Sequence, residues 1–150
     1  MRNSRSSKAQ LPAIPPPSTE HVRAVMRGNR SRNTKPELAV RRLLWALGYR
    51  YRVHRRGLPG TPDIVFSARK KVIFVHGCFW HQHKRCRLSR PMRSNLPYWS
   101  HKLSRNKARD AENLRRLRAL GWNALIVWEC QLREPDALTV RLTRFIGRHS

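Results

Sequence analysis

The sequence predicts an α/β fold: a central mixed sheet flanked by helices. Segments with a helical apolar stripe alternate with short apolar runs of strand length, in the order helix, three strands, helix, strand, helix. Gly and Pro punctuate the junctions, as at Gly48, Leu58-Pro59-Gly60-Thr61-Pro62 and Gly121.

Residues 1–20 read as a tail. Ser, Arg and Lys dominate its start, and Pro12, Pro15, Pro16 and Pro17 follow. Such a segment buries too little apolar surface to offset its ordering entropy, so disorder is expected. The folded domain is expected over residues 21–150. Thr34 and Glu37 have the spacing of a capping box, and Pro36 suits a first helical turn. Leu38, Leu43, Leu44 and Leu47 form the stripe of the first helix, which Gly48 stops. Tyr49 to His54, Asp63 to Phe66 and Lys71 to His76 read as strands. A long basic helix is expected from about Pro97 to Leu120, then an apolar strand from Ala124 to Trp128. Leu138 to Ile146 reads as a last helix. Trp45, Trp122 and Trp128 are expected in the core.

Charge narrows the partners. The chain has 150 residues, with 33 Lys and Arg against 8 Asp and Glu, a formal charge of +25. A surface this positive attracts a polyanion, and nucleic acid fits ahead of a membrane surface or an acidic protein. Composition alone serves a non-catalytic nucleoprotein scaffold as well as an enzyme. No apolar run approaches the roughly 20 residues of a membrane span, and no signal-peptide core is visible. A cytoplasmic protein is expected. Three cysteines do not make a disulfide framework.

Carboxylates are scarce, so Asp63 stands out: it opens an apolar strand after a Pro-rich turn. It could cap that turn or pair with an Arg. It could also hold Mg2+, which takes oxygen ligands and can polarise a scissile phosphate. A strand-borne Pro-Asp followed by a second strand is the skeleton of the PD-(D/E)xK nuclease fold. The second strand lacks the acid-x-Lys of that pattern and ends at His76, leaving His76 and His81 as candidates for proton transfer.

The densest signal runs from His76 to Cys86. Cys78, His83 and Cys86 in this loop, with Cys130 after the last strand, offer the Cys3His set of a closed structural zinc site. His81 is an alternative ligand to His83; His83 is preferred because it leaves His81 free for chemistry. Three unpaired thiols and surface histidines are the plainer reading.

Leu58-Pro59-Gly60-Thr61-Pro62-Asp63 and His76-Gly77-Cys78-Phe79-Trp80-His81, with Asn33-Thr34-Lys35-Pro36-Glu37, Asn106 to Asp110 and Val127-Trp128-Glu129-Cys130, resemble the very short patch repair (Vsr) DNA mismatch endonucleases. The resemblance covers about Glu20 to Glu134. It implies a bacterial, Mg2+-dependent, monomeric endonuclease that nicks duplex DNA 5′ to the thymine of a T:G mispair left by 5-methylcytosine deamination. It implies repair-protein partners and nucleoid association on DNA. By resemblance Asp63 binds Mg2+, with the backbone carbonyl of Val75 as a second ligand; some members carry Thr there. His81 activates the attacking water, Asp110 orients His81, and His76 and Glu37 complete the catalytic set. The zinc ligands are Cys78, His83, Cys86 and Cys130. Phe79, Trp80, Trp99 and Met26 are the intercalating residues. A T:G wobble stacks poorly, so a wedge costs less there. The basic residues from Lys102 to Arg118 fit phosphate contacts. A nuclease of different lesion preference and a non-catalytic zinc module are the competing readings.

Overall fold

The computed structural model describes residues 32–90 and 96–148. Met26 and the tail at residues 1–20 lie outside them. Helix α1 spans Lys35–Ala46, followed by strands β1 (Arg52–Val53), β2 (Ile64–Phe66) and β3 (Lys71–His76). Helix α2 spans Leu96–Ala119, β4 Asn123–Trp128 and α3 Pro135–Ile146. The strands lie in sequence order: β1, β2 and β3 are antiparallel neighbours, and β4 joins β3 in parallel. The sheet is therefore mixed, as the sequence predicts.

Alternation along the strands sorts the core onto two faces. Ile64, Phe66, Ile73 and Val127 point to one face, where Val40 and Leu44 of α1 and Leu138, Leu142 and Ile146 of α3 cover them. Val65, Val72 and Phe74 point to the other, against Leu114 and Leu117 of α2. Both faces of β2 and β3 are buried, which is why these strands read as continuous apolar runs rather than as alternating ones.

Three sequence expectations need correction. Only Arg52 and Val53 of the stretch from Tyr49 to His54 form a strand. Tyr49 and Tyr51 instead donate hydroxyl hydrogen bonds to Gly147 O (2.6 Å) and Arg41 O (2.9 Å), and His54 turns out of the strand at φ +48°. Helix α3 begins at Pro135, three residues before Leu138, because Pro135 supplies the preset φ of a first helical turn. Trp45 is 57% exposed rather than buried. It lies one residue past Leu44, about 100° around the helix from the buried stripe. The Arg50 guanidinium covers its ring at 3.4 Å. Trp122 packs against the α2-side core.

Candidate active site and metal centre

The site forms at the end of the sheet where β2 begins and β3 ends. The preceding turn is fixed first. Thr61 N–H donates to Leu58 O (3.1 Å), and Gly60 sits at φ +78° against Asn113 of α2, where an added Cβ would fall 2.9 Å from Asn113 Nδ2. Only glycine accepts both that conformation and that approach. Asp63 leaves this turn just before β2. Its Oδ2 accepts from Val75 N–H of β3 at 2.7 Å, and its Oδ1 has no hydrogen-bond partner among the described residues. Burial pushes its carboxyl up to about 7, with the Glu37 charge adding; the Val75 N–H, His81 and Arg41 oppose the rise.

Glu37 reaches this site from α1 and is 1% exposed. Thr34 Oγ1 caps the helix by accepting from Glu37 N–H (3.3 Å). The reciprocal half of the capping box is displaced by one residue: Glu37 Oε2 accepts from Asn33 N–H at 2.9 Å. Glu37 Oε1 accepts from Arg41 Nη2 (2.6 Å) and meets His54 Nε2 (2.5 Å). Ligand-capable atoms of Glu37, His54 and Asp63 all lie within 4.8 Å of one another. His54 and Arg41 escaped the sequence reading. Neither lies in a signature stretch, and only the turn after β1 brings His54 beside α1.

At the end of β3, His76 and His81 stack with ring centroids 3.7 Å apart and planes 7° from parallel. His81 Nδ1–H donates to Asp110 Oδ2 of α2 at 2.5 Å, which leaves its Nε2 as the basic nitrogen. Burial, helped by the neighbouring His81 and opposed by Asp110, lowers His76 to about 4. His76 is therefore neutral at ordinary pH. Its Nδ1 is buried with no partner among the described residues.

The loop after β3 and the end of β4 bring candidate metal-binding side chains together. Cys78, His83, Cys86 and Cys130 place one ligand atom each within a 4.8 Å cluster. His83 Nδ1 lies 3.7 Å from Cys78 Sγ and 3.5 Å from Cys130 Sγ. His81 points instead to Asp110. Cys78 N–H donates to Glu129 Oε1 at 3.3 Å, tying the loop to the end of β4. The Cys78 thiol is fully buried, and burial pushes it up to about 12. A cluster of one buried and two half-buried thiols, closed by an imidazole, fits a soft divalent ion that stabilises thiolate.

Phe79, Trp80 and Trp99 pack together, with ring centroids 5.0 to 5.8 Å apart. Trp99 is buried in this free protein, whereas Phe79 and Trp80 are half-buried. The Lys102 ammonium lies 5.0 Å from the Trp80 ring, and Asn106 Nδ2 donates to Trp80 O at 3.2 Å. The loop aromatics are thus held against α2.

The family model for the DNA mismatch endonuclease Vsr matches residues 18–87. The type II nicking enzyme V.XorIIP of Xanthomonas oryzae is 50% identical over 129 residues, 86% of this chain and 94% of its own. This chain belongs to the Vsr family. Other Vsr relatives include the DNA mismatch endonuclease Vsr of Escherichia coli, 41% identical over 81% of this chain and 80% of its own. V.NmeAIP of Neisseria meningitidis, also named a type II nicking enzyme, is 40% identical over 77% of this chain and 82% of its own. Among the described residues, no helix is long and apolar enough to cross a membrane.

Proposed function

We propose that this Vsr-family protein is a DNA mismatch endonuclease. In this reading it nicks one strand of duplex DNA 5′ to the thymine of a T:G mispair, with Mg2+ as catalytic ion and Zn2+ as structural ion. The observation that carries the reading is the pairing of His81 with Asp110 beside the buried carboxylate of Asp63. An imidazole whose Nδ1–H is held by a carboxylate keeps Nε2 free to take a proton from water. Asp110 fixes the tautomer and the orientation of the ring. The stacked, neutral His76 keeps a second charge away from His81 and can donate or accept at the phosphate.

The donor set fits Mg2+ through oxygen. Asp63 Oδ1 has no partner among the described residues, and a cation would offset the burial that works against its charge. Glu37 is already compensated by Arg41, so Asp63 and the Val75 carbonyl are the assigned ligands. When bound, the ion polarises the scissile phosphate and lowers the pKa of a coordinated water. Zn2+ on Cys78, His83, Cys86 and Cys130 would pin the loop that carries His81, Phe79 and Trp80. These aromatics, with Trp99, supply the wedge for an unstacked mispair, and the +25 charge supplies phosphate affinity. Such an enzyme acts as a cytoplasmic monomer.

The test is incubation with Mg2+ and a T:G duplex labelled on each strand, beside matched and methylated duplexes. One strand of the T:G duplex alone should be cut, 5′ to the thymine. D63N should bind the same duplex without cutting it. Cleavage of matched DNA at the same rate assigns a different nuclease, and binding without any cleavage assigns a non-catalytic zinc module.

A further inference from the structure

Glu37 is almost wholly buried, its carboxylate directed by three donors and its backbone N–H by one acceptor. Asn33 N–H holds Oε2, Thr34 Oγ1 caps its own N–H, and Arg41 Nη2 and His54 Nε2 converge on Oε1. His54 is the one of these that arrives from the sheet. It is placed there by a second bond, its own N–H donating to Asp63 O at 3.3 Å, which sets it directly across the ladder from the candidate metal ligand. Its backbone adopts φ +48°, a left-handed conformation uncommon for a residue with a Cβ. The side chains of both partners are nearly closed to solvent, at 11% for His54 and 2% for Glu37. A strained backbone and a buried, directed hydrogen bond occur on one residue, between the two carboxylates of the site. Those carboxylates repel each other, so Glu37 must be oriented and its charge spread for Asp63 to remain available.

We propose that His54 is a positioning residue: by donating from Nε2 to Glu37 Oε1 it fixes the Glu37 carboxylate beside Asp63, at the place where the divalent ion is held. This rests on the endonuclease reading for its effect on cutting, but not for its effect on ion binding. Partners that orient a metal site from outside the ligand shell typically change metal affinity or activity by about 10- to 100-fold.

The experiment titrates Mn2+ alone into the full chain, following the free ion by electron paramagnetic resonance. Single-turnover nicking of the T:G duplex is measured in parallel. H54F keeps the ring volume and loses the donor, whereas the Gln Nε2 of H54Q reaches the imidazole Nε2 position. H54F should weaken Mn2+ binding and nicking each by about 10- to 100-fold, and H54Q should restore most of both. In an E37Q background, H54F should have no further effect, because its partner charge is gone. Unchanged Mn2+ affinity in H54F overturns the proposal. So does an equal loss in the E37Q background, or a folded H54Q as impaired as H54F. If wild type binds Mn2+ but nicks no mismatch, the endonuclease reading fails and the Mn2+ arm still decides the role of His54.

Discussion

His81 Nδ1 and Asp110 Oδ2 lie 2.5 Å apart, joining the loop after β3 to the middle of α2 across 29 residues of sequence. The loop also carries three of the four candidate zinc ligands, so one short segment links the candidate metal centre, the proposed proton-transfer group and the long helix. If His81 is the general base, H81A should lower the nicking rate by about 10²- to 10⁴-fold while DNA affinity holds. D110N should cost less, since it misorients the imidazole without removing it. Single-turnover rates and filter binding on the same duplex check this. An H81A enzyme at full rate would reassign the base.

Asp63 and His76 give opposite pH slopes to stability. Burial lifts Asp63 from 3.8 to about 7, so its contribution is full below pH 3.8 and is lost as pH rises through about 7. Burial lowers His76 from 6.5 to about 4, so its contribution is present above pH 6.5 and is lost as pH falls toward about 4. D63N removes the first slope and keeps the second. Without divalent ions, D63N should gain stability with rising pH more steeply than wild type. It should exceed wild type above neutrality by at most about 4 kcal/mol. Urea melts across the acid-to-neutral range measure the difference; a wild type with the steeper rise contradicts it.

Purified protein should hold one zinc per chain, counted by elemental analysis. C78S or C130S should lower that count and the melting temperature together, because ion binding at a four-ligand site is folding free energy. A strong chelator should cause the same loss of melting temperature in wild type and little further loss in C78S. A zinc-free protein with an unchanged melt would remove the metal from the account.

The aromatic cluster separates wedge from core. Trp99 is 2% exposed, so W99A should destabilise the fold by about 3–5 kcal/mol whatever its role on DNA. Trp80 is only half-buried, so W80A should cost less stability and should reduce the preference for T:G over T:A duplex. Competition binding with the two duplexes, beside a thermal melt, checks both. An intact preference in W80A would place the wedge elsewhere.

Local chemistry determined the elements that could be read without a partner. Thr34, Pro36 and Gly48 mark the ends of α1, since caps and stops depend on neighbours in sequence. The apolar runs in β2, β3 and β4 mark strands that must be covered on both faces. The dense run from His76 to Cys86 and the isolated Asp63 drew attention because such residue types are few in this chain. Tertiary structure alone decided the rest. Trp45 lies outside because helical rotation, not hydrophobicity, sets which side faces the sheet. The position of His83, the candidate preferred from sequence, in the cysteine cluster came with Asp110 on α2 taking the His81 imidazole. His54 became part of the site only when β1 ended beside α1, which brought residues 17 positions apart to a single carboxylate oxygen. Spacing reports neighbours along a helix or strand; contacts between elements depend on the register and the turns that join them.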